Sequence, residues 1–214
     1  MNRGIFDYNQ ETGYVFLHMQ KGERINLSDK ELVKRLIPII TQNKIEKIIV
    51  GYPFEKNFDL SFLKPLKKIK GLSILYHDFN FEDIYLFKEL EELIIPNKFQ
   101  GVCLINSFKK LKKIALNSEN DYGGTLNSAL KLEEITLTNF SSENFFLKNS
   151  ISKNDTVKTI NFYSNNNHLD VSELEVFPNI ENLTLANFKS VFGFENILNL
   201  EHIKTLNIYH CKLE

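Results

Sequence analysis

The residue types that usually perform catalysis are scattered through this sequence. Its five histidines include no HExxH pair, the spacing that places two imidazoles on one helix face to bind zinc. His77 precedes Asp78 and His210 precedes Cys211. Consecutive side chains of a strand point to opposite faces, so neither neighbour is placed to orient a general base. The pattern predicts surface histidines rather than a metal centre or an acid–base pair.

Phosphate chemistry has no better support in the sequence. The segment Tyr122-Gly123-Gly124-Thr125 has two adjacent glycines without the lysine of a phosphate-binding loop, and we interpret it as a connection between elements. The formal net charge is -1, whereas nucleic-acid binding depends on clustered lysine and arginine. We therefore expect a non-enzymatic protein with no cofactor and no nucleic-acid partner.

A six-residue apolar pattern, called the frame below, organises most of the chain. Its first, fourth and sixth positions are apolar, as in the segment from Leu111 to Leu116. Apolar positions four and six are typical of a short strand with one buried face. Recurrence at intervals of 21 to 25 residues predicts a solenoid with one strand per repeat. The eight frames start at Ile45, Ile69, Leu90, Leu111, Leu132, Val157, Ile180 and Ile203.

Over roughly residues 45 to 211 these frames resemble the L-x-x-L-x-L pattern of the leucine-rich repeat family. The resemblance implies an α/β solenoid of about eight coils, a horseshoe whose parallel β-sheet lines the concave face. One feature departs from the family, which usually has an asparagine three positions after the frame. We therefore assign no subfamily within this bacterial-type resemblance. That site holds Pro53, His77, Lys98, Glu119, Phe140, Asn165, Phe188 and Cys211.

Residues 1–44 lack the full frame and are predicted to form an N-terminal cap on the solenoid of residues 45–214, the two making one continuous domain. Two strand-like runs, Ile5 to Tyr8 and Tyr14 to Met19, predict a hairpin. A capping box from Ser28 to Glu31 predicts an amphipathic helix, which Pro38 is expected to kink or end.

The other end has no comparable cap in its sequence. Only the segment from Tyr209 to Glu214 follows the last frame, so we expect an uncapped C-terminal edge that allows self-association.

Localisation is predicted from the first residues and from the cysteines. The opening residues lack the apolar core of a signal peptide, and no run approaches the ~18 apolar residues of a membrane helix, so we expect a cytoplasmic protein away from membranes. Cys103 and Cys211 belong to distant repeats and are expected to be reduced.

The side chains between the apolar frame positions are predicted to form a binding face on the concave side. They are apolar and tyrosine-rich in the first repeats and rich in Thr, Asn and Tyr in the later ones, a composition that favours contact with a protein. The alternative is that these residues are only good strand formers and that the cap folds over Ile49 and Ile94. The candidate contact residues are Ile49, Tyr52, Leu75, Tyr76, Ile94, Thr136, Thr138, Asn161, Tyr163, Thr184, Asn207 and Tyr209.

Frame position two alternates in charge through all repeats. In a parallel stack this order predicts a ladder of ion pairs that specifies register, because a slip of one repeat opposes like charges. The residues are Glu46, Lys70, Glu91, Lys112, Glu133, Lys158, Glu181 and Lys204.

Two functional hypotheses follow from these patterns. The first is a protein-binding module whose concave face holds one folded partner, with the immunity protein of a bacterial toxin as its narrower form. The alternative is a structural or surface-adhesion repeat module from a longer or exported protein. Both rest partly on how repeat proteins are used in general.

Overall fold

The structure is a computed structural model that describes residues 6–9, 11, 14–17, 37–51, 60–75, 79–124, 126, 131–141 and 153–214. Its main feature is a ten-stranded sheet in which β1 and β2 are antiparallel and every later neighbour is parallel. The strands of this sheet are β1 (Phe6–Asn9), β2 (Tyr14–Leu17), β3 (Lys47–Val50), β4 (Gly71–Ile74), β5 (Glu92–Ile95), β6 (Lys113–Asn117), β7 (Glu134–Phe140), β8 (Thr159–Ser164), β10 (Asn182–Ala186) and β12 (Thr205–Tyr209).

Each of the eight frames forms one strand, and each strand begins at frame position three. Neighbouring strands pair frame to frame, so that Leu93 of β5 lies beside Leu72 on one side and Ile114 on the other. The side chains at positions four and six are buried in the first seven frames because alternate strand residues share a face. The mostly parallel sheet predicted from the frames is confirmed.

A repeated backbone bond holds successive frames together at position two. The carbonyl oxygen of Glu91 accepts hydrogen bonds from the N–H groups of Lys112 and Lys113, at 2.8 and 3.0 Å. The carbonyl of Lys112 then accepts from Glu133 and Glu134 in the next repeat. The same paired bond recurs along the stack and fixes where each strand begins.

Short 3₁₀ helices cover the core on the side away from the main sheet. Two of them have a side-chain cap: Asn80 accepts the N–H of Glu82, and Asp170 accepts the N–H of Ser172. A two-stranded parallel sheet, β9 (His168–Asp170) with β11 (Ser190–Phe192), lies among these connections. The 3₁₀ segments are Leu60–Leu66, Phe81–Leu86, Ile105–Ser107, Val171–Val176 and Phe194–Asn199.

Aromatic side chains fill the core between the sheet and the connections. Phe87, Phe108 and Phe177, each three residues before a frame, are at most 2% exposed. Phe140 stacks on Phe162 with ring centroids 4.2 Å apart. Burying one such side chain is worth roughly 1.5–3 kcal/mol. These positions therefore supply much of the cohesion between repeats.

In one repeat the position three residues before the frame holds a buried asparagine instead of an apolar residue. Asn154 is 8% exposed, and its Oδ1 accepts bonds from the N–H and the hydroxyl of Thr156, at 3.1 and 2.8 Å. The Thr156 hydroxyl also lies 2.7 Å from the carbonyl oxygen of Leu132 in the preceding repeat. At this position of the repeat, polar contacts thus replace the apolar packing of the other repeats.

The N-terminal segment contains the predicted hairpin, formed by β1 and β2, and β2 continues the sheet by pairing in parallel with β3. Residues 37–42 are helical, so the chain stays helical after Pro38 and the predicted helix end at this proline is not found. The fixed φ of proline is compatible with a helix, which explains this difference. The predicted kink stays a prediction, since the residues before 37 lie outside the described ranges. The predicted capping box from Ser28 to Glu31 lies outside the described residues.

The last frame is less buried than the others. Leu206 at position four is 37% exposed, whereas Leu183 at the same position of the preceding frame is fully buried. Ile203 and Ile208 are also partly exposed. Self-association through this edge stays a prediction.

Candidate partner-binding face

Strand alternation places frame positions three and five, and the residue just after the frame, on the side of the sheet opposite to the core. We call this side the outer face. Because the strands pair in register, these side chains form columns across the sheet, such as Thr136, Asn161, Thr184 and Asn207 in β7, β8, β10 and β12. The two halves of the outer face differ in chemistry.

The half nearer the N-terminus contains an ion pair that crosses an intervening strand. Lys47 Nζ of β3 lies 2.7 Å from Glu92 Oε2 of β5, and β4 lies between them. The residue of β4 at the same position is Gly71, and a Cβ there would lie 2.8 Å from Lys47 Cγ. The missing side chain of Gly71 leaves the space that the lysine needs to reach Glu92.

Further contacts extend this ion pair in both directions. Lys47 Nζ lies 5.2 Å from the centre of the Tyr14 ring on β2. Burial raises the pKa of the Tyr14 phenol, and the nearby Glu92 carboxylate raises it further, so the phenol stays protonated at neutral pH. On the other side Lys113 Nζ lies 2.8 Å from Glu134 Oε2, and this carboxylate raises the lysine's pKa. The charges of this half are paired within the protein.

The predicted apolar patch in this half is only partly accessible. Ile49, Leu75 and Ile94 are partly buried. Ser73, which pairs with Ile49 on one side and Ile94 on the other, is 3% exposed. The described part of the patch is therefore more enclosed than the sequence suggests. Tyr52 and Tyr76, the other predicted members, lie outside the described residues.

The half nearer the C-terminus carries an uncharged array of threonine and asparagine, called the Thr/Asn array below. Asn161 Nδ2 donates to Thr136 Oγ1 at 3.1 Å, and Asn182 Nδ2 donates to Thr159 Oγ1 at 3.2 Å. Each amide has two N–H groups and an acceptor oxygen, and the array uses one of these N–H groups. The full array is Thr136, Thr159, Asn161, Asn182, Thr184, Thr205 and Asn207.

Beside this array two tyrosines flank a small residue. Ala186 of β10 pairs with Tyr163 of β8 on one side and Tyr209 of β12 on the other. Tyr163 is 40% exposed and Tyr209 is 53% exposed, whereas Ala186 is 4% exposed. Strands are spaced ~4.8 Å apart, so the two tyrosines lie about 10 Å apart with a small side chain between them. Exposed tyrosines suit partner contact because the ring is apolar and the hydroxyl forms hydrogen bonds.

Thr138, another predicted contact residue, is tied to the protein itself. It is partly buried, and its hydroxyl donates to the carbonyl oxygen of Pro96 at 3.0 Å. This bond joins β7 to the segment after β5. Of the predicted residues in this half, Thr136, Asn161, Tyr163, Thr184, Asn207 and Tyr209 share one surface with Ala186, which the sequence analysis did not single out.

The alternating charges of position two form the predicted ladder in four places. The distances are 2.8 Å for Lys70–Glu46, 3.1 Å for Lys112–Glu91, 3.1 Å for Lys158–Glu181 and 2.7 Å for Lys204–Glu181. Lys204 and Lys158 lower the pKa of Glu181, and Lys112 lowers that of Glu91. Exposed pairs contribute ~0–1 kcal/mol each, so the ladder specifies register more than it adds stability.

Residues with catalytic potential do not converge in the described part of the chain. No group of three or more His, Cys, Asp or Glu side chains there is arranged to hold a metal ion. Cys103 is fully buried, which raises the pKa of its thiol. His168 Nδ1 bonds to the Ser190 hydroxyl, but Ser190 is 2% exposed. His77 and Asp78 lie outside the described residues.

No helix within the described ranges is long and apolar enough to cross a membrane. The sequence matches no protein-family model, and no curated protein is significantly similar to it.

Proposed function

We propose that the protein is a non-enzymatic binding module of leucine-rich repeat type whose outer face holds a protein partner. The repeat type is supported by eight frames at intervals of 21 to 25 residues, each contributing one in-register parallel strand. The paired backbone bond, in which the carbonyl at frame position two accepts two N–H groups of the next repeat, supports the same assignment because it recurs with the frame. In this proposal the outer face is the concave lining of a horseshoe.

The observation that carries the binding proposal is the tyrosine pair beside the Thr/Asn array. Tyr163 and Tyr209 expose large rings on either side of Ala186, while the neighbouring side chains are uncharged donors and acceptors. Interfaces concentrate their binding energy in a few aromatic residues surrounded by polar contacts. The C-terminal half of the outer face has this composition, whereas the charges of the other half are paired internally.

Site-specific photo-cross-linking in the source cells tests this proposal. A photoreactive phenylalanine analogue placed at Tyr163 or Tyr209 is expected to capture one partner. The control position is Phe192, an exposed aromatic of β11 that lies outside the ten-stranded sheet. Equal capture of that partner from Phe192, or no capture from either tyrosine, contradicts the proposal.

Mutation then measures the energetic contribution of the pair. The double variant Tyr163→Ala/Tyr209→Ala is expected to bind the captured partner at least ~100-fold more weakly, because two central aromatic contacts are lost. Phe192→Ala is expected to bind normally. The narrower hypothesis, neutralisation of a toxin, requires that the partner alone arrests growth and that wild type relieves this arrest better than the double variant.

A further inference from the structure

Three lysines of successive repeats form a column of like charge on the turns that precede the strands. Lys67, Lys88 and Lys109 each follow the buried residue three positions before a frame, and all three are exposed. The turns are equivalent, since the N–H of Ile69, Leu90 and Leu111 bonds in each case to the carbonyl three residues earlier. Because the strands stack, the backbone positions of these three lysines follow one another at about one strand spacing, ~4.8 Å, along the column.

The uniform positive charge of this column differs from the charge pattern at neighbouring positions of the repeat. At the next turn position Glu89 forms an ion pair with Lys110 of the following repeat, which shows that the turns lie side by side. At frame position two the signs alternate, as in the Lys112–Glu91 pair. Lys67, Lys88 and Lys109 have no salt-bridge partner among the described residues. Like charges in register repel each other, so the column is expected to lower the stability of the fold.

An exposed apolar surface adjoins the central lysine. Lys88 Nζ lies 5.6 Å from the centre of the Tyr85 ring, and the Tyr85 hydroxyl donates to the Val102 carbonyl oxygen at 2.7 Å. The same hydroxyl accepts the N–H of Leu104, also at 2.7 Å. Val102 and Leu104 are 40% and 38% exposed, and Leu86, next to Tyr85, is 40% exposed. Tyr85 thus links Lys88 to the segment that carries Val102 and Leu104, and the exposed Leu86 follows Tyr85 in the chain.

Gly123 helps to keep the aliphatic side chains in place. A Cβ at this position would lie 2.9 Å from Leu104 Cδ2 and 3.1 Å from Val102 Cγ1. The φ of Gly123 is +54°, in the left-handed region that favours glycine. Both side chains therefore pack over the same glycine and lie next to each other. We call Leu86, Val102, Leu104, Lys67, Lys88 and Lys109 the basic–apolar patch.

We propose that the basic–apolar patch docks an acidic polypeptide segment that carries apolar side chains. The lysine column pairs with carboxylates spaced along the segment, and Leu86, Val102 and Leu104 receive its apolar residues. The chain as a whole has a net charge of -1, so it lacks the broad positive potential that attracts nucleic acid or an anionic bilayer. Of the carboxylates in the same repeat as Lys88, Glu89 is paired with Lys110, and Glu82 and Asp83 lie in the first turn of the 3₁₀ helix Phe81–Leu86, at the end away from Lys88.

The test uses a short fluorescein-labelled peptide of glutamate and leucine, with binding measured by fluorescence anisotropy. Wild type is expected to bind it, more weakly as salt is added, and to bind a glutamate–glycine peptide less well. The variant Lys67→Gln/Lys88→Gln/Lys109→Gln is expected to bind about tenfold more weakly or worse. The matched control, Lys44→Gln/Lys153→Gln/Lys189→Gln, removes three exposed lysines elsewhere and is expected to stay within about twofold of wild type.

A single variant separates binding from folding. Lys88→Glu converts the column to alternating charge, so its melting temperature is expected to equal or exceed that of wild type while peptide binding falls. The proposal is overturned by absent binding to wild type, by equal loss in the control variant, or by tighter binding of duplex DNA or phosphatidylserine vesicles than of the peptide. None of these outcomes depends on Tyr163 or Tyr209, so the outer-face proposal is tested separately.

Discussion

At the scale of single residues, Gly71 decides which ion pair forms on the outer face. The Lys47 side chain passes over this glycine to reach Glu92, two strands away, with Nζ and Oε2 2.7 Å apart. Any larger residue at position 71 lies in the path of the lysine stem. The glycine thus leaves room for a side-chain ion pair that couples β3 to β5 across β4.

A double-mutant cycle tests this coupling. Gly71→Ala is expected to destabilise the wild type, because the new Cβ meets Lys47 Cγ at 2.8 Å. In a Lys47→Ala background the same substitution is expected to be neutral or to stabilise by about 0.5–1 kcal/mol, since alanine restricts the unfolded chain more than glycine does. Urea denaturation of the four proteins provides the free energies of unfolding. Equal effects in both backgrounds would show that the lysine does not occupy the space above Gly71.

A second residue-scale prediction concerns Glu181, which pairs with Lys158 and Lys204. Both lysines lower its pKa below that of the unfolded chain. A carboxylate whose pKa is lower in the folded protein than in the unfolded chain stabilises the fold at a pH above its unfolded pKa. This stabilisation disappears as the pH falls through the folded pKa. Glu181→Gln is therefore expected to melt slightly below wild type at neutral pH and to match it once the pH is below the lowered pKa of Glu181 in the folded protein.

Thermal melts across this pH range provide the measurement. Glu201→Gln is the control, since Glu201 is exposed and makes no salt bridge among the described residues. A gap between Glu181→Gln and wild type that persists in acid would contradict an electrostatic origin.

Sequence patterns predict contacts between neighbouring repeats better than contacts that skip a repeat. The Lys112–Glu91 pair follows from alternating signs at one frame position. The Lys47–Glu92 pair requires a long side chain, an intervening glycine and a register known in advance. Asn161 and Thr136 are predicted surface residues, but their mutual hydrogen bond depends on side-chain rotation that the pattern does not specify.

At the scale of elements, the frames predict strands well because burial on one face imposes a period of two residues. The connections carry no such period. The 3₁₀ segments, such as Phe81–Leu86, are too short for helical periodicity to show, and the pairing of β9 with β11 depends on how two connections stack. The helical residues 37–42 include Pro38, so of the two outcomes predicted there the helix end is wrong and the kink stays a prediction.

Leu93 and Leu206 occupy the same frame position but differ in burial, so their truncation is expected to lower the free energy of unfolding by different amounts. Leu93→Ala in β5 is expected to cost about 2–5 kcal/mol, because Leu93 is fully buried and its removal leaves a cavity. Leu206→Ala in β12 is expected to cost roughly half of that or less, since Leu206 is 37% exposed. Chemical denaturation of both variants tests the pair. Equal losses would indicate that Leu206 is covered in solution.

At the scale of the whole molecule, stability accumulates from contacts between adjacent repeats. Each described strand of the parallel stack bonds only to its neighbours, and the outer face and the basic–apolar patch use different parts of the repeat. The outer face belongs to the strands, whereas the patch belongs to turns and connections. The two proposed binding surfaces therefore share no residues.

This local organisation predicts a gradient of hydrogen exchange along the sheet. The amides of β5 are expected to exchange slowly, because β5 lies between two paired strands and Leu93 and Ile95 are fully buried. The amides of β12 are expected to exchange faster, since this strand pairs only with β10 among the described strands and Leu206 and Tyr209 are exposed. Exchange measured by mass spectrometry on peptides spanning the two strands tests the difference. Equal protection of the two strands would mean that the sheet opens as one cooperative unit or that another chain covers β12. Measuring exchange at lower protein concentration separates these two cases, because only the second depends on concentration.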